Sequence, residues 1–386
     1  MRQIRVDSYG IKIMAPKAIT HLIRVGSLSC IAANILKQEM LSLGADAAVS
    51  RDTLTGRAKK TDCLLMGNLS QFNRLNQKLY RQPFGLSLLA QELGAAIENY
   101  EKANFRIDLG RYKLNLNPKR TAIMGVMNIT PDSFSGDGLL RASGFGLQAN
   151  ILEYAGQLIK DGADIIDVGG ESSRPQAKAV GVKEEISRVV PVIKLLSKRI
   201  KAPISVDTYK PEVAKQALDS GAVMVNDISG LRNNAMTRLV AKYRAGIVIM
   251  HMKGNPRTMQ RNPVYKSLID EIIEYFHQAI SKAVSAGIDK AKIILDPGIG
   301  FGKLPEQNLE ILKKLKAFKA LGMPILVGPS RKSFIGKILN APPKERVFGT
   351  VSACVLAAQN GAHIVRVHDV KAVRQALRVA EQINKS

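Results

Sequence analysis

The sequence predicts a (β/α)8 TIM barrel, preceded by a β-hairpin and a separate small N-terminal α/β domain. Three observations predict it. Eight short apolar runs recur after Thr121, amphipathic stretches of helical period lie between most of them, and each run ends in polar or charged residues. The runs are continuous rather than alternating, which means burial on both faces and hence a parallel sheet. Eight strands over about 265 residues match such a barrel in count and size. A doubly wound open sheet more often shows about six strands and a Gly-rich first turn.

The bulk composition bounds the answer. At 386 residues, 46% hydrophobic and 23% charged, the chain has length for one large domain plus a small one and reads as globular. No apolar run approaches the roughly 20 residues of a membrane span. The N-terminal Met1–Asp7 stretch has no apolar signal core, so a cytoplasmic location is expected. Three scattered cysteines, Cys30, Cys63 and Cys354, show no metal-ligand spacing and fit a reducing compartment. The formal charge of +25 invites a nucleic-acid reading, but there is no basic tail and no Trp to build a base-stacking platform. Anionic small-molecule substrates are the better account of that charge, with no nucleic-acid or membrane partner expected.

Residues 1–103 form the first block. Ala15–Arg24 and Ile31–Leu43 carry helical patterns, Asp62–Met66 reads as a short strand, and Phe84–Tyr100 as a further long helix. This block shows no catalytic constellation, and its role is unassigned. From residue 104 the chain changes character. Phe105–Leu116 alternates apolar and polar residues on either side of Gly110, a β-hairpin. The barrel strands follow at Ile123–Met127, Ile165–Val168, Ile204–Val206, Val223–Val225, Ile247–Met250, Ile293–Leu295, Ile325–Val327 and Ile364–Val367. Helices are expected at Glu184–Leu196, Pro211–Leu218 and Leu268–Val284.

A barrel of this kind builds its site at the C-terminal strand ends, so those residues can be read in turn. Asp207, Asn226 and Asp296 end strands three, four and six, and Lys332 follows strand seven. Carboxylates accept two adjacent N–H donors well, so this set suits a flat polar heterocycle with an amidine-like edge. Asn128, Arg174, Arg366 and His368 bracket strands eight, one and two. That set suits a phosphate or pyrophosphate accompanied by an oxygen-preferring divalent cation. Ser330–Ser333 follows a buried strand and opens a helix, so Ser333 and the free N–H groups around it offer a seat for an anion. Two signals are discounted. Gly298–Lys303 is glycine-rich but lacks the phosphate-loop spacing, and His251 in a Met-rich run reads as a core or rim histidine.

These motifs resemble dihydropteroate synthase. Met-Asn-Ile-Thr-Pro-Asp-Ser-Phe134, Asp-Val-Gly-Gly-Glu-Ser-Ser-Arg-Pro175, Ser-Val-Asp-Thr208, Val-Asn-Asp227, Met-His-Met-Lys-Gly-Asn-Pro256, Leu-Asp-Pro-Gly298, Ser-Arg-Lys-Ser333 and Arg-Val-His-Asp369 follow the family's order over about residues 105–386. Two departures are visible: Gly136-Asp137 stands in the inverse of the family's usual order, and Ser173 stands where Thr is usual. The resemblance implies condensation of 6-hydroxymethyl-7,8-dihydropterin pyrophosphate with para-aminobenzoate, a Mg²⁺ cofactor and a homodimer. It also implies roles: Asp207, Asn226, Asp296 and Lys332 for the pterin; Ser173, Arg174, Arg366 and His368 for pyrophosphate; Asn128 for the metal group. Phe134, Pro175 and Ser333 would hold the aminobenzoate, and Asp132, Asp207, Asp296 and Lys332 would serve the chemistry. A pterin-binding methyltransferase, passing methyl groups between folate and a corrinoid, is the alternative within the same barrel class.

Overall fold

The computed structural model describes every residue except 56, 130–144, 173–178, 255–258, 260–262 and 386. The chain divides into two compact units, Met1–Asn99 and Tyr100–Ser386. Among the described residues no helix is long and apolar enough to cross a membrane.

The first unit is a three-stranded antiparallel sheet of β1 (Thr20–Ser29), β2 (Asp46–Val49) and β3 (Lys60–Asn68), with β3 in the middle. Its core joins Leu65 and Cys63 on the sheet to Leu36, Met40, Phe72, Leu75 and Leu93 from helices Cys30–Ser42, Leu69–Leu79 and Leu86–Glu101. The helix expected at Ala15–Arg24 is a correction. The helix runs from Ser8 to Ala18, started by the Asp7 carboxylate accepting from Gly10 N, and Thr20–Ser29 is a strand. The period decides it: His21, Ile23 and Val25 turn inward and Thr20, Leu22 and Arg24 outward, an alternation of two rather than a spacing of three or four.

In the second unit, hairpin strands β4 (Phe105–Leu109) and β5 (Tyr112–Leu116) turn at Gly110, whose N–H is held by Asp108 Oδ1. Eight parallel strands follow: β6 (Ala122–Asn128), β7 (Ile165–Gly169), β8 (Ile204–Asp207), β9 (Met224–Asp227), β10 (Gly246–Met250), β11 (Ile293–Asp296), β12 (Leu326–Val327) and β13 (Ile364–Val367). All eight expected runs are strands. The sheet order is β11-β10-β9-β8-β7-β6-β13-β12, and a parallel bridge between Leu295 and Ile325 closes the ring. The helices pack outside through a continuous apolar shell that includes Val189, Ile193, Val213, Ile272, Phe276 and Leu377. The three expected helices are present as Val182–Arg199, Pro211–Asp219 and Leu268–Ser285.

The two ends of the barrel are built differently. At the N-terminal end, Ile107, Leu109, Leu114 and Leu116 of the hairpin pack onto Met124, Ile165, Met224, Val248, Ile294, Leu326 and Ile364. The hairpin is thus an apolar plug, and the opposite mouth is left for chemistry. Ile107 is fully buried in this plug. Ile107→Ala is expected to cost about 2–5 kcal/mol through lost transfer energy and a residual cavity. Urea unfolding of the full chain checks this, and a change within about 0.5 kcal/mol, the range of ordinary surface substitutions, would show that the plug does not support the barrel.

Candidate active site at the C-terminal mouth of the barrel

A cavity of about 360 Å³ opens among the C-terminal strand ends, lined by Asn128, Asp207, Lys332, Ser333, Arg366 and His368 together with Glu171 and Ser330. Parallel register explains why distant residues meet there. Asn128 lies opposite Gly169, Gly169 opposite Asp207, and Asp207 opposite Asn226, so one residue per strand arrives at the same height.

At the centre is a buried ion cluster. Arg366 on β13 donates from Nε to Asp167 Oδ2 at 2.7 Å and from Nη2 to Asp207 Oδ2 at 2.6 Å. Asn226 Nδ2 donates to the same Asp167 oxygen at 3.0 Å. Burial alone would lower the Arg366 guanidinium, yet Asp167 and Asp207 hold it above the ordinary arginine value. Burial pushes the Asp207 carboxyl up, the guanidinium pulls it back, and the charge of Asp167 pushes it up again. Two carboxylates share one guanidinium, and Asp167 Oδ1 is buried with no hydrogen-bond partner. Asp167 is a site residue that the strand-end reading missed. Its signal was a carboxylate interrupting the apolar run Ile165–Val168, one turn of the pleat below the position read as the strand's end.

Asp296 ends β11 and accepts from Gly298 N at 2.7 Å; burial pushes its carboxyl up to about 6. Lys332 precedes helix Ser333–Leu339 and holds its ammonium 4.0 Å from the centre of the Phe301 ring. Gly300, at φ +81°, lets the 298–302 loop pass this side chain, since a Cβ there would sit 2.9 Å from Lys332 Cδ. The Ser330–Ser333 segment is pinned from behind: Arg331 pairs with Asp369 through two bonds of 2.9 and 2.5 Å. Arg331, which also lines the cavity, thereby fixes the loop's position.

His368 is tied to the same segment. Its backbone N–H donates to Ser330 Oγ at 3.2 Å, and that hydroxyl lies 3.0 Å from its Nδ1. An oxygen already accepting from the backbone can donate to Nδ1, which leaves the ring proton on Nε2. Burial, reinforced by Arg366, pushes the imidazole down to about 3. It is a neutral donor at the cavity wall. His251 is buried instead against Tyr275 and Lys303, with Nδ1 3.0 Å from Lys303 Nζ. Lys303, in the glycine-rich loop set aside from the sequence, is buried, and desolvation pushes it down to about 7.

A second buried cluster flanks the cavity: Lys210 Nζ donates to Glu171 Oε2 at 2.5 Å, to Glu185 Oε2 and to Val180 O at 2.7 Å. Lys210 was also missed, because it sits three residues beyond a strand end. Asp132, Phe134, Ser173, Arg174 and Pro175 lie outside the described residues. Among the described residues, then, Asn128, Asp207, Lys332, Ser333, Arg366 and His368 line one cavity. Asn226 and Asp296 are buried beside it, joined through the Asp167 contact and the charge interaction of Asp296 with Lys332.

Comparison with known proteins agrees with this geometry. Residues 124–368 match the family described as pterin binding enzyme. The dihydropteroate synthase of Synechocystis sp. is 48% identical over 267 residues, covering 69% of this chain and 91% of that protein. The Yersinia pestis dihydropteroate synthase, solved with a sulfonamide drug complex, superposes with a TM-score of 0.67 at 41% identity, covering 71% of this chain and 98% of that one. The Xanthomonas albilineans enzyme, solved with 4-aminobenzoic acid, gives 0.66 at 41% identity, covering 73% and 99%.

The ion cluster makes a prediction independent of any substrate. Arg366→Met leaves two buried carboxylates facing each other, and breaking a buried pair in this way costs about 3–5 kcal/mol. Without the guanidinium the folded-state pKa of Asp207, already raised by burial, rises further above its unfolded value. The protonated forms are then favoured on folding, so the destabilisation is smallest in acid and grows as pH rises above the unfolded carboxylate value. Denaturant unfolding of both proteins across pH 5–8 checks it; a pH-independent difference would assign the loss to packing.

Proposed function

The chain belongs to the family of pterin-binding enzymes, and we infer from that membership that it catalyses the dihydropteroate synthase reaction. It is a transferase of the non-methyl alkyl type: 6-hydroxymethyl-7,8-dihydropterin pyrophosphate and para-aminobenzoate give 7,8-dihydropteroate and pyrophosphate. The observation that carries this reading is one cavity with two chemistries. Carboxylates and an amide, Asp207 in its wall with Asn226 and Asp296 buried beside it, meet the anion-suited Arg366, His368 and Ser333. A methyl transfer between folate and a corrinoid would have no use for the second set.

The roles follow from the donors and acceptors present. Asp207, Asn226, Asp296 and Lys332 take the pterin edge, the carboxylates accepting adjacent ring N–H groups. Two guanidinium nitrogens of Arg366 are engaged by Asp167 and Asp207, so Nη1 is left for a phosphate oxygen beside His368 Nε2–H. Ser173 and Arg174 complete the pyrophosphate contacts. Ser333 receives the aminobenzoate carboxylate, with Phe134 and Pro175 packing on its ring.

In the reaction the methylene C–O bond breaks, and its electron pair leaves with pyrophosphate. The aniline nitrogen then forms the new C–N bond and sheds a proton to the departing pyrophosphate or to water. Positive charge develops on the methylene as the bond opens, and the buried carboxylates Asp207 and Asp296, with Asp132 on the first loop, oppose that charge. Groups fixed in place before the reaction spend nothing on reorganisation. Lys332, over the Phe301 ring, limits how negative the pocket becomes. No side-chain nucleophile is required.

Mg²⁺ fits the donor chemistry. Among the described residues no group of three or more His, Cys, Asp or Glu could hold a metal, yet Asn128 brings a carboxamide to the cavity wall. A hard cation that retains water and substrate phosphate oxygens needs little more from the protein. When bound it supplies charge neutralisation for the leaving pyrophosphate.

The direct test is formation of dihydropteroate from the two substrates by the full chain, with loss of turnover on chelation and recovery on adding Mg²⁺. Asn128→Ala is expected to weaken the apparent Mg²⁺ affinity about 10–100-fold with little change in the KM for para-aminobenzoate. An unchanged Mg²⁺ dependence would remove Asn128 from the metal group. The acid limb of the rate profile tests Asp296. Protonation takes away one of its acceptors, so kcat/KM for the pterin substrate is expected to fall as pH drops through about 6. Asp296→Asn should lower the rate throughout and make the limb shallower, leaving the part owed to Asp207, which burial pushes up to about 7; a limb unchanged in steepness would remove Asp296 from it.

A further inference from the structure

A second cavity, of about 670 Å³, opens at the opposite, N-terminal end of the barrel, beside the strand starts Thr121 and His363. Its walls carry four lysines, Lys119, Lys316, Lys319 and Lys385, against a single carboxylate, Glu381. That carboxylate is already in use, accepting the Thr121 N–H at 2.8 Å. None of the four lysines makes a salt bridge with a described residue. Burial holds the Lys319 ammonium below its ordinary value, with the charge of Glu101 opposing and the smaller repulsion of Lys316 adding to it. The wall therefore gathers cations that make no salt bridge with a described residue, although Glu101 partly offsets Lys319, whose ammonium lies 4.6 Å from the centre of the Tyr100 ring.

An independent feature points into the same cavity. His363 is buried, and its ring lies edge-on to Phe105 at 4.8 Å. Its Nδ1 accepts the Ile325 N–H at 3.1 Å, while its own N–H donates to Ile325 O at 2.8 Å. An Nδ1 that accepts a backbone N–H cannot carry the ring proton, so the proton is on Nε2. Burial, with Lys319 nearby, pushes this imidazole down to about 4, so it is a neutral donor at physiological pH. Nε2 has no hydrogen-bond partner among the described residues, although the ring lines the cavity.

We propose that this cavity is a second anion site, separate from the catalytic mouth, that takes a phosphate ester of nucleoside-diphosphate size. Lysine ammonium groups act as point-charge partners for phosphate, and the His363 Nε2–H adds one directional contact. The volume lies within the range of small-molecule sites and exceeds what a bare diphosphate fills. The competing account is that the lysines only balance the C-terminal carbonyls of helix Val347–Gln359, which ends at this wall.

The test is calorimetric titration of the full chain with ADP in the presence of Mg²⁺, run on the native chain and on His368→Leu, which alters only the catalytic mouth. One site per chain is expected, weakened at least about tenfold by the paired substitution Lys316→Glu and Lys319→Glu, a loss of about 1.4 kcal/mol or more. Dihydropteroate turnover in that variant should be unchanged, and His363→Gln, which retains a donor, should bind ADP better than His363→Leu. Three results would overturn the site: no heat of binding, equal affinity in the lysine variant, or ADP binding lost in His368→Leu, which would place it in the catalytic mouth.

Discussion

The Arg366 guanidinium sets the geometry of the mouth. It reaches across the barrel interior from β13 to Asp167 on β7 and Asp207 on β8, strands that are not its neighbours in the sheet. Three strand ends are thereby tied at one level by contacts that depend on direction as well as charge. Apolar packing alone would fill this layer more cheaply, because a buried ion cluster repays its desolvation only when its geometry is good. The return is a floor of fixed charges beneath the substrate. The negative excess of that floor, two carboxylates to one guanidinium, faces the place where a carbocation would form.

This layer was the hardest part of the site to read from the sequence. Strand ends were legible because the apolar runs stop abruptly, so Asn128, Asp207, Asn226, Asp296 and Arg366 could be placed at the mouth by register alone. Asp167 was not legible by that rule. It lies inside its run, where a carboxylate can be buried only if another strand supplies a cation, and the cation is 199 positions away. Lys303 and Lys210 escaped for a related reason: each lies in a loop beyond the strand, and its burial depends on how that loop folds back. In the first unit, the strand at Thr20–Ser29 was hidden by an apolar content that suits a helix equally well. The alternation of its buried face became decisive only when β3 was there to pair with it.

The barrel's two ends share a chemistry that its apolar middle separates. β13 has a histidine just before its first residue, His363, and another just after its last, His368. His363 is buried and His368 half-buried, both have Nδ1 engaged, His363 by a backbone N–H and His368 by a serine hydroxyl, and both are held neutral with Nε2 as a donor. Imidazolium would be the stronger anion partner in water. In these surroundings, with Arg366 or Lys319 already close, a further positive charge would be costly. A neutral directional donor adds specificity without adding repulsion.

That distinction also bears on the high net charge. At the catalytic mouth the cations have carboxylate partners: Arg366 has two, Arg331 has Asp369, and Lys210 has Glu171 and Glu185. Charge there is organised and largely compensated, so a pyrophosphate would meet donors, such as Arg366 Nη1, on groups whose charge carboxylates already offset. Such a site can hold a leaving group without trapping it. At the N-terminal wall the four lysines make no salt bridge with a described residue, and an anion arriving there would compete only with the weaker pull of Glu101 and the Tyr100 ring on Lys319. The excess positive charge therefore says little about the reaction. Its consequence is greatest away from the mouth, where unpaired lysines surround a cavity with one oriented donor.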